Sequence, residues 1–148
     1  MADESVSPAE AAKLLSANQE AVYLDVRSER EFLHGHPVGG LNVPIFFLKP
    51  GVPPSPNPDF VDVVEANIPK DKPVYVGCGS GQRSARAVQL LQAQGYEQIV
   101  NVDCGYSGKR DPMGNVIAPG WLQLELPSDS GDGGQRSYAS LRARLEAD

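Results

Sequence analysis

An α/β fold, with a central parallel sheet flanked by helices on both faces, is predicted by three observations. Short apolar runs at residues 22–26, 74–76 and 99–102 alternate with stretches of helical period. Two of the helical stretches open on a Ser-x-x-Glu capping signal. Between the run at 74–76 and the helical stretch that follows lie Gly77, Gly79 and Gly81, the composition of a tight strand-to-helix turn.

The elements follow in order. Ser7-Pro8-Ala9-Glu10 combines capping-box spacing with proline at the first helical position and predicts a helix over residues 8–17. Residues 22–26 read as a short buried strand, apolar except for Asp25. Ser28-Glu29-Arg30-Glu31 is a second capping box and starts a short helix through Phe32 and Leu33. Gly39-Gly40 leads to a brief strand at 41–43, stopped by Pro44, and an irregular proline-rich loop follows to Pro58. Asn57-Pro58 is read as the cap of a helix whose apolar face is Phe60, Val63, Val64 and Ile68. The helix over 83–94 is expected to bury Ala85, Ala87, Val88 and Leu91, with Gly95 just past its end. Residues 105–127 hold glycines, prolines and Trp121 with no period, so they are expected to wrap the surface. Residues 128–134 have linker composition, and Tyr138, Leu141 and Leu145 form one stripe of a terminal helix expected to dock loosely. The expected organisation is one domain over 5–127 and a flexible linker with a short helical extension over 128–148.

With 148 residues, 41% of them hydrophobic, the chain suits one ordinary globular domain. A formal net charge of -6 argues against a nucleic-acid partner. No apolar run is long enough to span a bilayer, and the acidic start lacks the pattern of a secretory signal, so no membrane association is expected. Two cysteines, Cys78 and Cys104, are too few for a disulfide scaffold and fit a reducing, cytoplasmic setting. Two histidines without ligand-like spacing give no case for a metal, and nothing implies a cofactor.

The chemistry is concentrated in Cys78-Gly79-Ser80-Gly81-Gln82-Arg83-Ser84. A cysteine between a strand end and a helix start sits where backbone N–H groups converge and the helix dipole is positive, a setting that stabilises a thiolate without a histidine. The glycines allow the backbone to curl around the sulfur and any anion held there. Local positive potential in this acidic chain would come from the loop amides, Arg83 and Arg86.

Cys-x-x-Gly-x-Arg-Ser in this position resembles the active-site loop of the rhodanese (sulfurtransferase) family. A second block, Leu24-Asp25-Val26-Arg27 with Glu31-Phe32, Gly35-His36, Gly39 and Asn42-Val43-Pro44, is similar to the family pattern at the same spacings. Asn101-Val102 with Gly105, then Trp121 and Pro127, resembles its closing segment. Pro37, Gly40 and Cys104 depart from the usual residues, and none of them is the nucleophile.

The resemblance implies a single-domain, rhodanese-like sulfurtransferase acting through a Cys78 persulfide. A small anionic donor such as thiosulfate or mercaptopyruvate would supply sulfane sulfur. Cyanide, a small thiol or a protein thiol would accept it. Substrate would be held by Gly79, Ser80, Gly81, Gln82, Arg83 and Ser84. Arg83 would grip the donor or tie down the loop, with loop organisation favoured by family analogy.

Two alternatives stand beside this reading. One is a persulfide-carrying regulatory or partner-binding module with little small-molecule turnover. The other is a phosphatase or arsenate reductase of the same fold. Those relatives use a loop one residue longer and tend to place histidine before the cysteine, where this chain has Gly77.

Other residues have plainer expectations. Asp25 and Arg27 are read as supports behind the site, Asp25 accepting loop amides and Arg27 pairing with an acid. His36 is expected to be a structural hydrogen-bonder, His34 exposed, and Cys104 packed at a strand end. Phe46, Phe47 and Leu48 are expected to anchor their loop, and Lys109 and Arg110 to lie in an exposed turn.

Overall fold

The computed structural model of the chain describes residues 5–79 and 81–146. Its central sheet has strands β1 (Ser5–Val6), β2 (Val22–Asp25), β3 (Leu41–Asn42), β4 (Val74–Gly77) and β5 (Ile99–Val102). They lie side by side in the order β1-β5-β4-β2-β3, every pair parallel. Strand β1 has no sequence signal, because two residues carry no period. It is held at the sheet edge by the register Ser5 to Asn101 and Val6 to Val102.

Alternation along the strands builds two cores. Leu24, Val74, Val76 and Ile99 face α3 (Phe60–Asn67), α4 (Gln82–Ala93) and α5 (Tyr138–Glu146). Tyr23, Tyr75 and Val102 face α1 (Pro8–Ala17) together with Tyr106 and Trp121. The sheet is thus covered on both faces, as a parallel sheet requires.

Capping follows the sequence in α1 and α2 (Glu29–His34). Ser7 Oγ accepts from Glu10 N at 3.1 Å. In α2 both halves of the box form, with Ser28 Oγ accepting from Glu31 N and Glu31 Oε1 accepting from Ser28 N. Helix α3 differs from expectation: its N-cap is Asp59, not Asn57. Asn57 is buried and used as a tie, its Oδ1 accepting from Asp59 N and its Nδ2 donating to Pro44 O and Tyr138 Oη. In α4 the buried stripe is Ser84, Ala87, Val88 and Leu91, an i, i+3, i+4, i+7 set that leaves Ala85 half-buried.

The segment after β5 corrects the expectation of a surface wrap. Tyr106 and Trp121 are buried, and Trp121 Nε1 donates to Pro127 O at 2.8 Å. Between them Lys109–Arg110 and Val116–Ala118 pair antiparallel. The segment has no period because it is a chain of turns hung from two aromatic anchors.

Residues of linker composition also prove to be held. Ser128–Asp129 pairs antiparallel with His36–Pro37, and Gly131 N donates to Leu33 O at 2.8 Å. Helix α5 places Leu141 in the first core with no exposed surface. Arg142 bonds Asp59, and Asn67 Nδ2 donates to Leu141 O. Backbone pairing and one apolar stripe dock this stretch despite its polar composition. Among the described residues no helix is long and apolar enough to cross a membrane.

Candidate active site

Cys78 stands at the C-terminal end of β4, where the chain turns into α4. That edge of a parallel sheet is where open α/β folds place their ligands. The thiol is 1% exposed. Gly81, the N-cap of α4, donates its N–H to Cys78 Sγ at 3.1 Å. Ser84 Oγ lies 3.3 Å from the sulfur and 2.5 Å from Asn101 Oδ1, while Asn101 Nδ2 donates to Gly81 O at 3.3 Å. The loop's own carbonyls point the other way and are tied down. Tyr106 N donates to Cys78 O at 2.7 Å, and Ser107 N donates to Gly79 O at 2.8 Å. Fixing these carbonyls outward leaves amides for the sulfur, an arrangement suited to negative charge.

Two glycines make this close packing feasible. A β-carbon at residue 105 would overlap the carbonyl oxygen of Cys78, and Gly105 has φ of +52°. A β-carbon at residue 77 would overlap the hydroxyl of Tyr23. That hydroxyl is buried without a hydrogen-bond partner, and burial above all pushes the phenol pKa well up.

The structure places Arg83 against α2 rather than over the sulfur. Its Nη1 and Nη2 donate to Glu31 Oε1 and Oε2 at 2.8 and 3.1 Å. Glu31 therefore both caps α2 and clamps α4, the helix that follows the cysteine loop, a dual role its capping-box spacing did not announce. Burial pushes the Glu31 carboxyl up, but Arg83 and the Ser28 hydrogen bonds together outweigh it and hold it at about 2. Because this folded value lies below the ordinary 4.5, the stabilisation is present above 4.5 and is lost as pH falls through about 2. Urea unfolding between pH 5 and pH 2 is accordingly expected to show a steeper loss of stability for the wild type than for Glu31→Gln. Near neutral pH the variant is expected to be less stable by about 1 kcal/mol, as suits a half-exposed pair.

Asp25 and Arg27 are brought together: Asp25 accepts one backbone amide of the loop after β2, and it is also the acid that pairs with Arg27. The turn after β2 folds Arg27 back, so Asp25 Oδ1 accepts from Arg27 N and Nε, and Oδ2 from Nη2 at 2.8 Å. Arg27 Nη2 also donates to Gly35 O at 2.6 Å, and its guanidinium lies 4.5 Å from the centroid of the Tyr106 ring. The pair reaches the site through Tyr106, which holds the Cys78 carbonyl.

Of the remaining expected residues, Gln82 is exposed and Ser80 lies outside the described residues. His36 is fully buried, stacked on Phe32 at 3.7 Å with Nδ1 donating to Phe32 O. His34 is exposed. Cys104 is buried and unbonded to Cys78, and burial followed by Asp103 pushes its thiol pKa up against the pull of Lys109. Lys109 is paired with Asp103 at 2.8 Å, and Arg110 donates to Gly114 O. Phe46 and Phe47 pack on the core, whereas Leu48 lines a cavity. Among the described residues no group of His, Cys, Asp and Glu is placed to hold a metal.

That cavity, of about 690 Å³, opens beside the loop over Glu31, Tyr106 and Ser107. Arg30, His34 and Lys49 line it as well, and among the described residues the only carboxylate in its wall, Glu31, is paired with Arg83. Sequence reasoning missed Asn101 as a site residue. Its signal is a polar side chain within an otherwise apolar strand.

Parallel sheet and cysteine cradle together define a rhodanese-type α/β domain. The Rhodanese-like domain family matches residues 7–110, and the chain belongs to that family. It is 38% identical over 103 residues to Thiosulfate sulfurtransferase 16, chloroplastic, of Arabidopsis thaliana, which covers 70% of this chain and 83% of that protein. Protein HIGH ARSENIC CONTENT 1, mitochondrial, of the same plant is 36% identical over 65% of this chain and 61% of its own length. The chain spans half of another relative, Rhodanese-like domain-containing protein 15, chloroplastic. Among solved structures, Rv0390 from M. tuberculosis superposes with a TM-score of 0.73 at 30% identity, covering 86% of this chain and 97% of that one.

Proposed function

We propose that the chain is a sulfurtransferase that carries sulfane sulfur as a persulfide on Cys78. The observation that supports it most is the cradle. Family membership comes with an intact cysteine whose sulfur receives a backbone N–H and lies within reach of a hydroxyl, at the N-terminus of a twelve-residue helix. The Cys78 thiolate attacks the outer sulfur of a donor such as thiosulfate. An S–S bond to Cys78 forms, and the bond to the departing sulfite breaks with its electron pair leaving on sulfite. A thiol or cyanide then attacks the outer sulfur, and Cys78 leaves as thiolate.

Mercaptopyruvate is the second donor to consider, with pyruvate as the organic product. Arg30 and Lys49 line the cavity walled by Tyr106 and Ser107, and in this reading their charge draws anionic donors and acceptors towards the loop. Gly79, Gly81, Gln82, Arg83 and Ser84 form or flank the cradle in this reading, with Arg83 organising the loop through Glu31. Residues 5–127 carry the chemistry and the C-terminal stretch buttresses it. Two free cysteines suit a reducing compartment, which this reading takes to be the cytoplasm.

The phosphatase reading is disfavoured. Arg83 is occupied by a carboxylate, and Tyr23 leaves no room for a side chain at residue 77. The near-complete burial of Cys78 favours, as a second reading, a persulfide module served by a dedicated partner.

Intact mass after incubation of the reduced protein with thiosulfate tests the proposal. A gain of one sulfur atom supports it. No gain with thiosulfate or mercaptopyruvate overturns it.

A further inference from the structure

The contacts around Cys78 form a closed ring. Gly81 N bonds the sulfur, Asn101 Nδ2 bonds Gly81 O, and Ser84 Oγ stands between Asn101 Oδ1 and the sulfur. The Gly81 carbonyl can only accept, so it selects the nitrogen of the Asn101 amide and leaves the oxygen facing Ser84. Ser84 has one hydroxyl proton and, among the described residues, two acceptors for it. Ser84 is fully buried and Cys78 nearly so, and the ring itself supplies both acceptors. An amide oxygen is a much stronger acceptor than a neutral thiol sulfur, so Asn101 Oδ1, 2.5 Å away, holds the proton when the sulfur is neutral.

We propose that Asn101 is a positioning residue that sets the direction of the Ser84 hydroxyl and thereby restrains Cys78 in its thiol form. The inference rests on Cys78 being the nucleophile. With the sulfur neutral, the thiol S–H donates to Ser84 Oγ and the Ser84 hydroxyl donates to Asn101 Oδ1. When the thiol proton is lost to solvent, the sulfur becomes the stronger acceptor. The hydroxyl then turns about its Cβ–Oγ bond and donates to Sγ, leaving Asn101 Oδ1 without it. One hydrogen bond is exchanged for another, and no covalent bond changes in the ring. Among the described residues, Arg83, paired with Glu31, and the Tyr23 phenol also interact electrostatically with Cys78, Asp103 and Cys104 flank Gly81, and none of these belongs to the ring.

The proposal predicts opposite effects at two touching residues. The rate of Cys78 alkylation by iodoacetamide reads them, with peptide mapping to separate Cys78 from Cys104. Asn101→Leu removes the competing acceptor, so alkylation near pH 7 is expected to rise about tenfold and its pH profile to move to lower pH. Ser84→Ala removes the donor, so the rate is expected to fall about tenfold and the profile to move to higher pH. The double variant is expected to lie close to Ser84→Ala, because the Asn101 oxygen reaches the sulfur only through that hydroxyl. Asn101→Asp, a stronger acceptor, is expected to slow the reaction.

An Asn101→Leu variant no faster than wild type, or a double variant at the sum of the two singles, overturns the proposal. Should Asn101→Leu fail to fold, Asn101→Asp decides, and a rate at or above wild type overturns it. Alkylation needs no sulfur donor, so a failure of sulfur transfer leaves this test intact.

Discussion

Cys78→Ser is expected to abolish sulfur uptake and transfer while leaving the protein folded. The serine hydroxyl is a far weaker nucleophile than a thiolate, and an oxygen at this position holds no persulfide. A loss of at least about 10³-fold in transfer is expected. The fold has little reason to respond. The oxygen still accepts the Gly81 N–H, and the side chain differs by one atom, so stability is expected to stay within about 1 kcal/mol of wild type. Intact mass, a transfer assay and thermal unfolding check the three parts. If Cys78→Ser still gains sulfur, the carrier is Cys104, and Cys104→Ser then removes the gain.

Gly105→Ala is expected to be strongly damaging for a change that adds a single methyl group. The added carbon would overlap the backbone carbonyl of Cys78, an atom fixed by Tyr106 N and unable to move without the loop. A loss of about 3 kcal/mol in stability is expected, with a fall in melting temperature of roughly 10 °C. Sulfur uptake should fall as well in the fraction that remains folded, because the carbonyl that must yield belongs to Cys78, the proposed carrier. Gly114→Ala is the control. It also has positive φ, +88°, but open space where the methyl would go, so it is expected to cost only about 1 kcal/mol. Equal effects of the two changes would show that backbone conformation, not crowding at Cys78, governs residue 105.

What could be read from the sequence was whatever a short local pattern encodes. The capping box at Ser28 and Glu31, the apolar face of α3 and the cysteine turn into α4 are each specified within a dozen residues. What escaped reading depends on partners far along the chain. Glu31 and Arg83 are 52 positions apart, and neither hints at the other. Asn57 looks like a helix cap until Tyr138 approaches its amide. Asp25 and Arg27 were legible as a buried pair of charges but not as partners of each other, because a turn folds Arg27 back. The stretch at 128–134 has the composition of a linker, and only its pairing with His36–Pro37 and the burial of Leu141 reveal a docked strap.

The placement of α5 also bears on the order in which the chain becomes native. Strand β1 finds its neighbour only when Asn101 and Val102 are available, and the first core receives Leu141 later still. The α3 side of the sheet is therefore sealed only once Tyr138 and Leu141 have docked. Closing contacts so distant in sequence carry a large loop entropy and slow the final step. Until residues 138–145 dock, the apolar surface over α3 stays open to water and prone to association.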